Sequence, residues 1–426
     1  MQIQKNIVTY LSASCVNHIP SMNSNAQNTP RSKWISMATR GALGLALLIL
    51  AYTAPSTLED VFFPGSQEGE SGSLQDPDRC IRCHGEYNPD IEPFFNWSGS
   101  MMAQATRDPL YEASLAIINQ DVPSGGDLCI RCHSPEGWLG GRSVPTDGSA
   151  LTEEDREGIH CDFCHRMIKP ARLAINPFPQ DPYYTENTWP LDMDYLESID
   201  SLPLVSGNGM YLVDSDRAKR GPIIDAGSDH DYLYSPFHRE SAFCGTCHDV
   251  STPLFDRQTD GSYTLNSFGH PPPSNNTYDL FPLDRTYSEW LMSEFNTPTG
   301  VYAPQFGGNK AYIYTCQDCH MKDVSGVAAD RREARFHHDL PQHDFSGGNT
   351  FMPGLIAELY PSEVEALALN SGIARAETML QLAASLEVTL NDMGDHLALT
   401  VRVTNETGHK LPSGYPEAVS YTHLRA

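Results

Sequence analysis

Apolar residues are gathered into a few stretches of this chain. The first is Gly41 to Ala54, a run without charge preceded by Arg31, Lys33 and Arg40. A basic segment, a short apolar run and an Ala-x-x-Ala ending have the layout of a secretory signal. The run is short for a membrane span, which needs about 20 residues. Because Pro55 is a poor residue to follow a cleavage site, an uncleaved N-terminal anchor is the alternative. Residues 1–54 are therefore read as a leader, with Met37 as a candidate start, and 55–79 as an acidic Gly/Ser linker. From 80 to about 350 no long periodic run appears, and Pro271 to Pro273 should be extended. Further on, Ser362 and Glu365 form a capping box. Ile373, Ala376, Leu380 and Ala383 fall on one helical face, with a break expected at Asn370-Ser371-Gly372. This makes 351–385 a helical connector. Leu386, Val388 and Leu390 then alternate with polar residues, Asn391 to Asp395 turns the chain, and Leu397, Leu399, Val401 and Val403 alternate again. That is a β-hairpin pattern, the start of a truncated β-domain over 386–418.

The last eight residues, Val419 to Ala426, match one reading frame of a transposase-type sequencing adapter. Residues 419–426 are accordingly expected to be an artefact, with His423 carrying no function and the natural sequence running only to Glu417 or Ala418 before it.

Composition sharpens the picture. The chain has 426 residues, 40% of them hydrophobic, and 63 are Gly or Pro. Such a chain is poor in core material for its length. The net charge of −26 excludes nucleic acid as a natural partner, since phosphate binding wants a basic face. An acidic surface suits a basic redox partner, and equally serves plain solubility.

The cysteines explain the missing core. Ten of eleven fall in five Cys-x-x-Cys-His motifs: Cys80, Cys83, His84; Cys129, Cys132, His133; Cys161, Cys164, His165; Cys244, Cys247, His248; and Cys316, Cys319, His320. This is the attachment signature of c-type haem. Two thiols one turn apart bond the two vinyl groups, and the next residue supplies the proximal imidazole. Zinc sites pair one such dithiol with another, or with a distant His pair, and need no His at the next position. Five haem plates would supply much of the core, so little regular structure is expected between motifs, and apo-protein should not fold. Covalent attachment occurs outside the cytoplasmic membrane, which points to the periplasm. Residues 80–350 are read as a pentahaem domain with a haem-free insertion at 166–243. The 27 residues between His133 and Cys161 suggest that the second and third haems are neighbours.

The far side of each iron needs ligands that the motif does not supply. Of sixteen His, five are proximal, and His18 and His423 fall in the leader and the suspected artefact, which leaves nine. His238 lies six residues before Cys244, and His230 a little earlier. His337, His338 and His343 cluster after the fifth motif, with His343 the first choice and a separate metal site as the alternative. His409 follows the hairpin. Met101 and Met102 could raise a haem's potential as axial ligands or simply pack against a haem. His160, His270 and His396 carry no signal, and Met321 is too near His320 to cross its haem. Phe94, Phe95 and Trp97 read as haem-packing aromatics. Asp214 and Asp216 form only a weak calcium pattern. No nucleophile set is visible, so no catalytic residue is assigned.

Seven segments together resemble bacterial multihaem c-type cytochromes: Trp97–Leu110, Asp127–Gly141, Gly158–Arg166, Ser235–Val250, Phe281–Trp290, Cys316–Asp323 and Asn405–Glu417. The likeness is to the tetrahaem cytochrome of nitrifiers and to the haem-packing plan of hydroxylamine oxidoreductase and pentahaem nitrite reductase. It implies a mainly α and irregular haem domain with closely stacked haems, followed by a β-domain, and a role in periplasmic electron transfer. Pentahaem nitrite reductases usually carry one Cys-x-x-Cys-Lys motif at the catalytic iron; all five motifs here end in His. An electron carrier with five haem c is therefore expected. Its partners would be other redox proteins, such as a quinol dehydrogenase or another cytochrome, with membrane contact only through an uncleaved N-terminus. The alternatives are an oxidoreductase acting on a small nitrogen or sulfur compound at one open iron, and a docking subunit of a membrane redox complex.

Overall fold

Each Cys-x-x-Cys-His stretch closes a short helical turn. The helices Asp78–His84, Gly126–His133 and Cys316–His320 hold three motifs whole, Cys161–Cys164 holds both thiols of the third, and Ser241–Gly245 holds Cys244 of the fourth, whose turn continues through the bond from His248 N to Cys244 O. Helical spacing puts residues three apart on one face, so the two thiols of a motif lie side by side. The fifth helix is capped by Thr315, whose hydroxyl accepts from Asp318 N while the Asp318 carboxylate returns to Thr315 N. The computed structural model describes residues 56–170, 192–199, 201–411 and 414–415, all within one unit, Pro55–Ala426. The leader with its apolar run, Cys15 and His18, and the last eight residues lie outside the described residues.

The expectation of a mainly α and irregular domain needs correction. Between the helices run several small sheets: Val250–Arg257 between Tyr263–Leu265 and Leu280–Asp284, and Asp323–Val327 against Phe336–Pro341. Short ladders satisfy backbone groups where Pro and Gly rule out long helices. Residues 56–79, read as a linker, lie packed in the body, with Phe63, Ser66 and Ser71 fully buried. In the stretch read as a haem-free insertion, Tyr211, Leu212 and Val213 are core residues. The main apolar cluster joins Ile130, Trp138, Phe163, Tyr211 and Trp290, and motif cysteines Cys129, Cys164, Cys247, Cys316 and Cys319 rim it. The apolar side of the motifs thus faces the core.

Two helix expectations are also corrected. The helix Ala366–Ala383 runs straight through Asn370-Ser371-Gly372. Its cap is Glu365 itself, whose carboxylate accepts from Leu367 N at 3.1 Å; Ser362 takes no part. Gly372 is there for close approach. A methyl on it would lie 2.0 Å from the Gly99 carbonyl oxygen, and one on Gly99 would lie 2.2 Å from that of Ala368. The two backbones meet directly. Alanine at 372 gains about 1 kcal/mol in helix propensity, but overpacking against backbone costs about 1–3 kcal/mol, and here no flexible side chain can yield. Gly372→Ala should therefore lower the denaturant midpoint of the haem-loaded protein; an unchanged or raised midpoint would refute the close-approach reading.

The chain then forms the hairpin Ala384–Asp392 with Leu397–Asn405, in register Leu386↔Val403, Val388↔Val401 and Leu390↔Leu399. All six of these side chains are exposed. Among the described residues no helix is long and apolar enough to cross a membrane.

Candidate metal centres

Each motif imidazole would reach an iron through Nε2 if Nδ1 were otherwise held. In four of the five motifs a backbone carbonyl holds it. Nδ1 of His84 donates to Ala328 O at 2.7 Å, His133 to Ala105 O at 3.2 Å, His165 to Arg220 O at 2.6 Å and His320 to Ser346 O at 2.6 Å. Metal-ligating histidines nearly always donate the second ring nitrogen in this way, which fixes tautomer and orientation. Burial also pushes all four imidazoles below their ordinary range, His320 to about 4. They are neutral, as ligation requires.

A metal–imidazole bond is about 2.0–2.1 Å. Adding about 1.1 Å from nitrogen to ring centre, two imidazoles on opposite sides of one iron should have centroids about 6.3 Å apart. His84 and His230 are separated by 6.4 Å, and His320 and His409 by 6.4 Å. His165 has two neighbours, His343 at 6.1 Å and His238 at 5.8 Å. Nitrogen use separates them. His343 donates Nδ1 to Pro341 O at 3.0 Å, which leaves Nε2 available. His230 and His409 likewise use Nδ1 on the carbonyls of Asp231 and Lys410. His238 does the reverse: Nε2 is bonded to Cys164 O at 2.9 Å, and Nδ1 is buried without a partner. Burial holds His238 and His343 alike at about 3, so charge does not distinguish them.

The remaining candidates fall elsewhere. His338 is exposed beside the Ser325 hydroxyl, at 3.1 Å. His337 faces Asp225 at 3.9 Å. His160 is buried against Glu136 at 2.8 Å. Met101 and Met102 are half-buried, just ahead of Ala105, the residue that holds His133. Trp97 is buried and donates Nε1 to Ile159 O at 2.8 Å. The Asp214 and Asp216 pattern needs correction as a calcium site. Asp214 is bound by Arg220 at 2.6 Å, and no group of three or more acidic, His or Cys side chains that could hold a metal ion occurs among the described residues. Among those residues no second imidazole ring is paired with His133 or His248. Instead the Tyr111 ring lies on that of His133, 4.2 Å away and 6° from parallel. Tyr111 and the four carbonyls carry no motif of their own; only the folded chain reveals them.

The thiols show how the motifs neighbour one another. The thiols of Cys80 and Cys161, of Cys132 and Cys247, and of Cys244 and Cys316 lie near enough to perturb one another. First meets third, second meets fourth, and fourth meets fifth. Cys244 also feels the charge of Cys164, which links third to fourth. Disulfides across these contacts would leave Cys83, Cys129, Cys164 and Cys319 without a partner and the following histidines without a purpose. The ten motif thiols are free and fit five haems, each held by two cysteines and one imidazole.

No family model matches the chain, and no curated protein matches it. Among solved structures, a penta-heme cytochrome c552 from Thermochromatium tepidum is similar with a TM-score of 0.43 and 17% identity, over 80% of this chain and 68% of that one. A likeness so distant leaves the assignment to the geometry of the sites themselves.

Proposed function

We propose that the chain is a five-haem c-type cytochrome that carries electrons between redox partners outside the cytoplasmic membrane. The observation that carries this reading is the set of paired imidazoles, His84 with His230, His165 with His343 and His320 with His409, whose ring centres lie 6.4, 6.1 and 6.4 Å apart, wide enough for one metal ion to be held between each pair, beside five attachment motifs whose thiols lie near one another. Haem, when bound, supplies a one-electron ferric/ferrous couple whose potential follows axial ligand, burial and nearby charge. The chain's part is to orient four of the five motif imidazoles through fixed carbonyls, to exclude water with the Trp138–Tyr211–Trp290 core, and to keep neighbouring motifs close. The partner is a redox protein, and the acidic surface favours a basic docking face on it.

Pyridine-haemochrome analysis should give five haem c per chain. EPR of the oxidised protein should show low-spin signals for the first, third and fifth haems. His230→Ala and His409→Ala should each convert one haem to high-spin. Fewer than five haems would overturn the count, and unchanged spectra in both variants would remove those ligand assignments.

A further inference from the structure

The hairpin Ala384–Asp392 with Leu397–Asn405 has two unlike faces. Side chains alternate across a strand, and the register sorts them. Leu386, Val388 and Leu390 share one face with Leu397, Leu399, Val401 and Val403. The other face carries Ser385 opposite Thr404, Glu387 opposite Arg402 and Thr389 opposite Thr400, with an ion pair of 2.9 Å between Glu387 and Arg402. An antiparallel sheet with this alternation commonly packs its apolar face on a core. Here both faces meet solvent: residues 385–397 and 399–405 are exposed, the seven apolar ones by 51–65%. A two-stranded hairpin is marginal in water and needs further strands or packing against its apolar face. Its base is nonetheless fixed. Glu406 N donates to Ala383 O at 3.0 Å. The chain beyond is pinned by Lys410 N on the Glu289 carboxylate at 2.8 Å and by Arg285 N on Gly414 O at 3.0 Å.

We infer that a second copy of this chain covers the face, the two hairpins packing apolar side to apolar side about a twofold axis. Area supports that occupant. An exposed Leu or Val side chain offers about 100 Å² of apolar surface, so the seven amount to about 700 Å². The largest apolar patch on an ordinary monomer is about 300–600 Å². Two such faces together would bury about 1,400 Å², inside the range of about 1,200–2,000 Å² for a specific interface. Shape and charge agree. A twofold contact needs a patch complementary to itself, and a sheet face of Leu and Val on both strands meets that need when two sheets stack about 10 Å apart. Asp392, the one charged residue on the face, sits at its tip opposite Leu397, where it stays at the rim. The net charge of −26 repels a second copy, so the association should strengthen with salt. The same acidity disfavours an anionic lipid surface as the occupant. Nothing in this contact depends on the haem count.

Sedimentation equilibrium of the full, haem-loaded chain tests it. At micromolar concentration and about 0.15 M salt the wild-type protein should be a dimer, with a dissociation constant that falls as salt is raised. Val401→Glu puts a carboxylate in the middle of the face, and each dimer would then bury two of them unpaired. The dissociation constant should rise at least about a hundredfold. Thr400→Glu places the same charge on the polar face and should change it by less than about threefold. A haem spectrum like that of the wild type shows that a variant has folded, and dilution of the wild-type protein needs no variant at all. A wild-type chain that stays monomeric at every concentration and salt tested would overturn the proposal, and its binding to phosphatidylcholine vesicles would give the face to lipid instead. A dimer that Val401→Glu leaves intact would overturn it too, as would one that Thr400→Glu weakens equally.

Discussion

His343→Ala converts one haem of the ferric protein from low-spin to high-spin and lets the reduced protein bind carbon monoxide, whereas His238→Ala leaves every haem low-spin. This is the expected result for two histidines at nearly the same distance from His165, 6.1 and 5.8 Å. The difference lies in their nitrogens. His343 has Nδ1 fixed by a carbonyl and Nε2 free, as the motif imidazoles do. His238 has its Nε2 bonded to Cys164 O, and to ligate through that atom it would have to break the bond and orphan a buried carbonyl. Magnetic circular dichroism or EPR on both variants decides the matter. A high-spin haem in His238→Ala with none in His343→Ala would reverse the assignment.

The largest stability effect is expected at Arg131, inside the second motif. Its side chain is fully buried. It donates to the carbonyls of Gly209 at 2.8 Å, Phe63 at 2.9 Å and Pro64 at 2.7 Å, and its guanidinium lies 4.2 Å from the Trp138 ring centre. Arg131→Ala would leave the buried carbonyls of Gly209 and Pro64 unpaired, Phe63 O keeping its bond from Gln67 Nε2, and a void beside two aromatic rings. At about 1–3 kcal/mol for each orphaned acceptor, partly relieved by entering water, the net loss should be about 3–5 kcal/mol. Denaturant unfolding of the haem-loaded protein measures it. A loss below about 1 kcal/mol would mean that the guanidinium contributes little to joining the 63–66 segment to the core.

The sequence made the local features legible because they are written in neighbouring residues. Five short motifs fold as helical turns, and the alternation at Leu386–Leu390 and Leu397–Val403 becomes a paired hairpin. What it hid depends on residues far apart. The glycine at 372 looked like a helix breaker, because nothing nearby shows that Gly99 approaches it. The buried Phe63, Ser66 and Ser71 looked like linker, because Met210, Tyr195 and Val213, which they meet, lie well over a hundred residues away. Counting histidines singled out His238 and His343 alike, since spacing cannot show which ring nitrogen a fold leaves free.

The carbonyl that holds His84 belongs to Ala328, 244 residues further along the chain. A ribosome adds about 5–20 residues per second, so roughly 12–50 s separate the emergence of the first imidazole from that of the atom that orients it. The first imidazole is thus held only once residue 328 has arrived. A metal bound there would have an environment built from segments 244 residues apart, and its spectrum would report whether those two segments have come together.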